Sequence, residues 1–441
     1  MIPSTLGHPG ARRFWLAVLL TGAGAGAGAA ALTKLLEAVQ RWAWGGTGRD
    51  LLAAASSAPP WRHVAVLAAA GVVTGAGQLL LVRLTSSNSI DITEAILFRA
   101  GRLPALRTMA SAVLAIVVVA MGASLGREGS PKQVGAVLAN ELCDRGRLSD
   151  DERRLIVACG AGAGMAAAYG VPLGGALFAL EVLRGALALR LILPALVTSM
   201  VATAVSWIVL PDAPTYVFPS YGSSASVLVW ALLAGPIAGV VSVGYVRAVR
   251  WADQHRPRGW LRLVAPVVAL GAIGALSIPF PQILGNGKDV SQLAFVGRVA
   301  PGLLVALVLL RPLATWSCVA SGTPGGLFTP SLAMGALLGG LLGEGWSWIW
   351  PGAPPGIFAV VGAAAVLAAT TQGPISSAVL MMELTGRDRS FILPMLLALA
   401  TATVVARSIE PRSIYDARLT EDQIARRQKL RDQPVPSIAD A

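Results

Sequence analysis

Apolar segments separated by short polar or glycine-rich loops run along almost the whole chain. Several are shorter than the ~20 residues that a straight transmembrane helix requires, and others are interrupted by glycine or proline, which bend or end helices. The pattern predicts an all-α integral membrane protein with tilted, partly discontinuous helices. The predicted segments are residues 14–32, 64–82, 109–125, 155–183, 191–210, 226–249, 263–281, 301–320, 327–343, 357–382 and 391–406.

Composition excludes a soluble globular domain. Hydrophobic residues make up 55% of the 441 residues and charged residues only 13%, and the mean hydropathy of +0.66 is far above that of soluble domains. The 49 glycines let helices pack closely in lipid, so the lipid bilayer is the first predicted partner. Cys143, Cys159 and Cys318 show no metal-ligand spacing, and no metal or other cofactor is predicted.

The net charge of +12 arises from 35 basic and 23 acidic residues, but it does not predict a nucleic-acid partner. Basic residues cluster in short loops and at both ends of the chain, as they do on the cytoplasmic side of membrane proteins. We therefore expect a multi-pass protein of the cell (plasma or inner) membrane with both termini in the cytoplasm. The basic clusters are residues 11–15, 98–107, 144–154, 246–260 and the tail after 411.

The two halves of the chain repeat each other. The stretch "GAGAGMAAAYGVPLGGALFALEV" from residue 160 matches "GAAAVLAATTQGPISSAVLMMEL" from residue 362 without gaps, at an offset of 202 residues. Beyond the alanines, Pro172 falls on Pro374 and Glu181 falls on Glu383. A weaker match aligns "GREGSP" with "GGLFTP" at an offset of 199 residues. Such repeats are typical of transporters, although parallel and inverted halves both remain open.

The loops "GREGSP" and "GGLFTP" are predicted to start helices. Glycine lets the backbone approach an ion, and proline is tolerated in a first helical turn. Helix N-termini attract anions through their unpaired N–H groups, and a carboxylate in the same place competes with those anions. Glu128 is therefore interpreted as a built-in competing anion that protonation releases. The alternative is a helix-start carboxylate paired with Arg127 or Lys132.

These motifs resemble the CLC family of chloride channels and proton/chloride exchangers. The resemblance covers most of the chain, and it implies a CLC-type inverted repeat of tilted, partly discontinuous helices that forms homodimers with one anion path per subunit. It implies no enzymatic activity and no cofactor besides the transported anion. The matching segments are "GREGSP" at 126–131, "GLFTP" at 326–330, "PQILGNG" at 281–287, "LEV" at 180–182, "QGPISSAVLMMELT" at 372–385 and Tyr415 in "EPRSIYDARL".

The resemblance also implies the site residues. The backbone amides of Leu327 and Phe328 and the hydroxyl of Tyr415 would line a central anion site. The amides around Arg127, Glu128 and Gly129 would line an outer site, with the Glu128 side chain as gate. The chain would divide into a first membrane half at 1–240, a second at 241–415 and a short cytoplasmic tail at 416–441.

A first departure from the family pattern lies in the first anion loop, which normally reads Gly-Ser-Gly-Ile-Pro. The stretch here is "SNSID", with Asn88 in place of the serine, and its amide offers N–H donors but also a carbonyl that repels anions. Alternatively Asn88 caps a helix, with Asp91 as the acid of a capping box. If the alignment of this stretch with the family pattern is shifted by one residue, Ser87 or Ser89 makes the anion contact instead of Asn88.

A second departure lies on the proton path. Exchangers of this family commonly carry an acidic residue just after the glutamate of the "LEV" helix end, and here that position is Val182, which carries no proton. Glu181 is a possible substitute. Its match at Glu383 favours a structural role at a helix end instead.

Three functions follow from these features. The first is transport of a small monovalent anion, most simply chloride, that is passive or loosely proton-coupled and gated by Glu128. The second is strict proton-coupled antiport of chloride or fluoride. The third is an intramembrane serine protease, because "GASLG" places Ser124 in a G-x-S-x-G pattern, with His63 as the conceivable base.

Two charged features lie outside these motifs. Arg311 stands inside an apolar run, so its guanidinium is predicted to face a cytoplasmic vestibule or to extend to a lipid headgroup. The charged tail at 418–433 is predicted to be a solvated helix.

Overall fold

The computed structural model describes residues 10–46, 50–84, 90–222, 224–386, 391–416 and 419–432. The described part of the chain is helical, with a single isolated bridge between extended residues. The helices up to residue 206 are α1 (Ala11–Trp44), α2 (Leu51–Ser56), α3 (Pro60–Leu84), α4 (Ile92–Phe98), α5 (Ala105–Ala120), α6 (Gly129–Gly146), α7 (Asp150–Tyr169), α8 (Pro172–Phe178, continued by a π-helical turn at Ala179–Arg184) and α9 (Leu189–Ser206).

The helices after residue 224 broadly repeat the order of the helices in the first half. They are α10 (Ala225–Gln254), α11 (Leu261–Leu276), α12 (Lys288–Phe295), α13 (Pro301–Ala320), α14 (Phe328–Ile349), α15 (Pro355–Thr371), α16 (Pro374–Thr385), α17 (Ile392–Ile409) and, in the tail, α18 (Glu421–Asp432). Short 3₁₀ turns lie at Pro281–Ile283 and Ile414–Asp416.

Corresponding helices of the two halves meet. Helix α3 packs against α11, and α8 packs against α16. The predicted boundary between residues 240 and 241 falls inside α10, which begins at Ala225 with a Ser224 cap. The element order instead favours a junction at residues 207–224, and we propose that division of the halves.

Within the described residues, five helices are long and apolar enough to cross a membrane: Ala11–Trp44, Pro60–Arg83, Ala225–Gln254, Pro301–Ala320 and Ile392–Asp416. Other apolar helices are only 10–17 residues long, as expected for a fold with half-length helices. The predicted segments 155–183 and 357–382 are each two helices. The breaks lie at Gly170 and at Gln372, both in the left-handed region with φ +68° and +58°, and a proline starts the next helix two residues later.

Helix α6 was not predicted from the apolar pattern. Its sequence carries Lys132, Asn140 and Asp144, which break any apolar run. The helix nevertheless packs against α1, α5 and α7, and both Lys132 and Asn140 are buried. A helix surrounded by protein needs no lipid-compatible surface, so hydropathy alone does not reveal it.

Glu181 and Glu383 each contact the start of a helix in the opposite half of the chain. The Glu181 carboxylate accepts hydrogen bonds from the amides of Ile375 and Ser376 at the start of α16, at 3.1 and 2.6 Å. The Glu383 carboxylate, at the end of α16, accepts from the first amides of α8, at 3.0 and 2.6 Å. Each carboxylate therefore compensates the positive end of the other half's helix. This geometry supports the structural interpretation of Glu181.

We expect Glu181→Gln and Glu383→Gln each to lower the free energy of unfolding by about 1–2 kcal/mol, because each loses charge-assisted bonds to a helix N-terminus. Thermal unfolding in detergent measures the change. Glu344→Gln is the matched control, since that residue lies on α14 and the bonds described at the two N-termini go to Glu181 and Glu383. Unchanged stability of the double variant would show that the reciprocal contacts contribute nothing.

The tail helix is docked, so the prediction of a solvated helix was wrong in part. Arg427 is only 4% exposed. It forms an ion pair with buried Asp416 and donates to the backbone carbonyl of Val182 at 2.6 Å. The side of α18 that carries Arg427 and Ile424 is therefore covered, while Glu421 and Asp422 remain exposed.

Arg311 takes neither of its predicted positions. It is buried on α13 and donates to the carbonyls of residues 282–285, at 2.5 to 3.3 Å. That segment is attached in turn to the other half, because the Gly285 amide donates to the Gly122 carbonyl at 2.9 Å. Arg311 thus fixes a non-helical loop whose carbonyls have no helical partner.

Candidate functional site

Two glycine loops, one from each half, meet at the centre of the site. The Gly126 amide donates to the Gly326 carbonyl and the Gly326 amide to the Gly126 carbonyl, both at 2.7 Å. This antiparallel bridge immediately precedes α6 and α14. The N-termini of both helices, whose first amides lack helical partners, therefore lie within a few residues of the bridge.

Glu128 reaches across from one loop to the other helix. Its side chain is 0% exposed. Oε1 accepts from the Phe328 amide at 2.7 Å, and Oε2 accepts from the Thr329 hydroxyl at 3.0 Å. The Tyr169 hydroxyl lies 2.9 Å from the Thr329 hydroxyl and makes a longer 3.5 Å contact with Oε2.

The alternative interpretation of Glu128 as the ion-pair partner of Arg127 or Lys132 was wrong. Among the described residues, neither cation lies within ion-pair distance of the carboxylate. The carboxylate is held by a backbone amide and hydroxyl donors instead.

Glycine at residues 126 and 326 keeps open the space that the carboxylate fills. A Cβ added at either position would overlap an oxygen of Glu128. The space between the loops is thus a cradle sized for a small negative group and bordered by the Phe328 amide and the Thr329 hydroxyl, at a helix N-terminus as in other anion sites. A carboxylate of the protein itself occupies this cradle.

Glu128 separates two cavities. The Arg127 cavity, of about 300 Å³, is lined by Arg127, Tyr169 and Lys288 among others. The Tyr415 cavity, of about 190 Å³, is lined by Lys132, Leu327 and Tyr415 among others. Tyr169, which lines the Arg127 cavity, contacts Oε2 of Glu128, and Gly326, which lines the Tyr415 cavity, lies against Oε1, so the carboxylate lies between residues of the two cavities.

Lys288 and Asp289 lie in the wall of the Arg127 cavity, on α12, which is too short to span a bilayer. Burial lowers the pKa of Lys288, and the charge of Arg127 lowers it further. Burial raises the pKa of Asp289, although the Leu52 amide, 3.1 Å from its Oδ2, opposes that shift. Burial therefore disfavours the charged form of both residues.

The other predicted site residues fall close to this centre. The Arg127 guanidinium lies 4.8 Å from the centroid of the Tyr169 ring and donates to the Ala168 carbonyl at 3.4 Å. Gly129 and Leu327 line the Tyr415 cavity. The Tyr415 hydroxyl is buried and makes no hydrogen bond within the described residues. It is thus a donor without a protein acceptor there.

The predicted contacts of the first anion loop fall on Asn88 and Ser89, which, like Ser87, lie outside the described residues. Asp91 is described. Its side chain accepts from the Thr93 amide at 2.8 Å and is itself the cap of α4. Asp91 therefore precedes α4 and is not the third residue of that helix.

Three polar residues at the centre were not predicted as site residues. Thr329 follows Phe328 in the "GLFTP" motif, so its position alone was a signal. Tyr169 was hidden in an alanine-rich helix, and its contact with Thr329 spans 160 residues. Lys132 was considered only as a partner of Glu128.

The protease interpretation has no support from the positions of Ser124 and His63. The Ser124 hydroxyl lies 3.3 Å from the Thr315 hydroxyl. The ring nitrogens of His63 contact the Ser277 hydroxyl at 2.8 Å and the Ala55 carbonyl at 3.0 Å. Within the described residues His63 is therefore engaged elsewhere and does not activate Ser124.

Comparison with known proteins gives consistent results. The family described as "Voltage gated chloride channel" matches residues 79–407. A ClcB-like chloride channel protein of Ralstonia nicotianae is 35% identical over 420 residues, which cover 92% of this chain and 96% of that protein. The voltage-gated ClC-type chloride channel ClcB of Citrobacter koseri is 30% identical over 385 residues, covering 84% of this chain and 90% of that protein.

Among solved structures, the chain is similar to a slow cyanobacterial Cl⁻/H⁺ antiporter, with a TM-score of 0.80 at 22% identity. The match covers 96% of this chain and 99% of that one. It confirms the predicted all-α membrane fold.

Proposed function

The chain belongs to the voltage-gated chloride channel (CLC) family, and on that premise we propose that it carries a small monovalent anion, chloride first, through a bilayer. The path runs between the Arg127 cavity and the Tyr415 cavity and is gated by Glu128. Transport is passive or loosely proton-coupled. The proposed anion-binding residues are Asn88, Ser89, Arg127, Glu128, Gly129, Leu327, Phe328 and Tyr415.

One observation carries this proposal: the Glu128 carboxylate accepts from the Phe328 amide at 2.7 Å inside the glycine cradle. A buried carboxylate in that position is a substitute for a free anion, because both are stabilised by the same N–H donors. An anion enters the cradle only when the side chain leaves, and protonation weakens its hold on the amide. The Glu128 side chain therefore closes the path at the position where the anion binds.

Val182 supports weak coupling or none. It stands where exchangers of the family commonly have an acid, and its backbone carbonyl accepts from Arg427 at 2.6 Å. Valine has no titratable group that could carry a proton at this position.

Proteoliposomes with a chloride gradient and a pH indicator test the coupling. We expect chloride flux with little or no uphill proton movement. Sustained proton pumping at a fixed ratio to chloride would establish strict antiport instead, and the same assay with fluoride decides between the two anions.

The remaining proposals concern assembly and location. We propose a homodimer in the cell membrane with both termini in the cytoplasm, on the support of the family resemblance and the basic loops. The tail helix α18 contacts the end of α8 at Val182. If the tail is in the cytoplasm, the Tyr415 cavity also faces the cytoplasmic side. Crosslinking in native membranes tests the dimer.

The Thr329 and Tyr169 hydroxyls are expected to hold the gate shut. Thr329→Val removes the 3.0 Å donor to Oε2, which leaves the charged carboxylate less stable in the cradle. The flux at neutral pH should rise about three- to tenfold, in line with the loss of one buried hydrogen bond, and the rise in flux on acidification should begin at higher pH. Flux measured across a pH series in proteoliposomes checks both effects.

Thr401→Val is the matched control, because the Thr401 hydroxyl donates only to carbonyls within its own helix. A Thr329→Val, Tyr169→Phe double variant with the wild-type flux and pH profile would exclude a role of the hydroxyls in gating.

A further inference from the structure

Lys132 places an ammonium group on the first turns of α6, inside the protein. The residue is 5% exposed. Its Nζ lies 4.4 Å from the centroid of the Tyr415 ring and 5.2 Å from that of the Phe178 ring. The group is thus held between two aromatic faces at the wall of the Tyr415 cavity, an arrangement that stabilises a cation.

This ammonium has no carboxylate partner in the described part of the chain. Burial lowers the pKa of Lys132, and the charges of Glu128 and Asp91 oppose that shift, but both acids are engaged elsewhere. The Glu128 oxygens accept from Phe328 and Thr329, and Asp91 accepts from the Thr93 amide. An unpaired buried cation costs several kcal/mol unless something compensates its charge.

The Tyr415 hydroxyl is a second donor near the Lys132 ammonium group. The Tyr415 hydroxyl is buried without a hydrogen-bond partner among the described residues. Buried polar groups without partners are rare, and this hydroxyl borders the same cavity of about 190 Å³ as Lys132. Both groups can donate a hydrogen bond. Within the ranges that the structure describes, neither donates to a carboxylate. A small anion supplies the acceptor and the negative charge together.

We propose that Lys132 is a further anion-binding residue, whose charge makes the site at the Tyr415 hydroxyl, next to the amide cradle that Glu128 fills, a cationic subsite for a small inorganic anion. This inference rests on the proposed function and adds to it a charged ligand, Lys132. An anion in the subsite lies on the path before the gate. The family-derived site uses dipoles and hydroxyls, whereas this subsite attracts its ligand through a full charge and therefore favours anions over neutral solutes.

Chloride flux at a series of chloride concentrations tests the subsite. Lys132→Met keeps the length and apolar stem of the side chain but removes its charge. We expect the half-saturating chloride concentration to rise about tenfold or more, as for loss of one charged contact, while acidification still speeds flux through Glu128. Lys132→Arg should stay within about threefold of wild type, because the charge is kept.

Lys34→Met is the control, since that lysine pairs with Glu37 at 3.0 Å on α1 and is 40% exposed. Wild-type half-saturation in a well-folded Lys132→Met protein would overturn the subsite. If the wild-type protein transports no anion, the proposed function is overturned, whatever the Lys132→Met variant shows. Those two failures are distinguishable.

A second measurement does not depend on the variant folding. Bromide is located in wild-type protein by anomalous scattering. The subsite predicts a bromide peak within contact distance of Lys132 Nζ and the Tyr415 hydroxyl. A well-ordered Tyr415 cavity without that peak at saturating bromide would contradict the inference.

Discussion

Replacing Glu128 with glutamine raises anion flux at neutral pH by about tenfold or more and removes most of its dependence on pH. Charged Glu128 occupies the cradle, and its bonds to the Phe328 amide and the Thr329 hydroxyl hold it there. A hydrogen bond to a charged group contributes about 1.5–3 kcal/mol, which corresponds to roughly a ten- to hundredfold change in occupancy. Glutamine lacks the charge, so an anion displaces it more easily.

The sign of the pH effect follows from the same geometry. The carboxylate is the blocking form, so wild-type flux rises as pH falls and the side chain becomes neutral. Glu128→Gln mimics the neutral form at every pH, and Glu128→Ala removes the side chain altogether. Both variants should give flat flux–pH curves, and any proton coupling should disappear in both.

Flux across a pH series in proteoliposomes measures the effect, with Glu344→Gln as a carboxylate control away from the site. Retention of the full wild-type pH dependence by Glu128→Gln would remove Glu128 from the gating role.

Arg311→Met should be the most destabilising single substitution considered. The guanidinium bonds four consecutive carbonyls, those of residues 282–285. Methionine fills similar space but donates nothing, so these carbonyls lose their partner in the protein interior. We expect a loss of about 3–5 kcal/mol of unfolding free energy, because each buried carbonyl left without a donor costs about 1–3 kcal/mol and part of that cost is recovered by local rearrangement.

Thermal unfolding in detergent and the yield of monodisperse protein check this expectation. Arg298→Met is the control, because Arg298 is exposed in the loop before α13. An Arg311→Met protein as stable as that control would show that the 281–287 loop holds its position without the guanidinium.

The sequence was most informative where chemistry is concentrated in short motifs. The "GREGSP" loop singled out Glu128, because an acid in apolar surroundings is costly unless it serves a function, whereas Phe328 was predicted from the family resemblance of "GLFTP". The repeat at Glu181 and Glu383 likewise predicted equivalent roles, and their reciprocal contacts with helix starts match that expectation.

Contacts between distant parts of the chain were beyond sequence reasoning. The Glu128–Phe328 bond joins residues 200 positions apart, and the Tyr169–Thr329 pair spans 160. Arg311 was misjudged because its partners are backbone carbonyls, which no side-chain pattern reveals. The apolar pattern missed Lys132 and the length of helix α6, because hydropathy reports contact with lipid and says nothing about polar groups buried inside the protein.

Locating bromide in Glu128→Gln and in wild-type protein at neutral pH tests most directly whether the carboxylate substitutes for a free anion. The cradle predicts bromide in Glu128→Gln at the place of the wild-type carboxylate, within hydrogen-bond distance of the Phe328 amide, and no bromide there in wild type. An empty cradle in Glu128→Gln at saturating bromide, with the Phe328 amide in its present position, would contradict it.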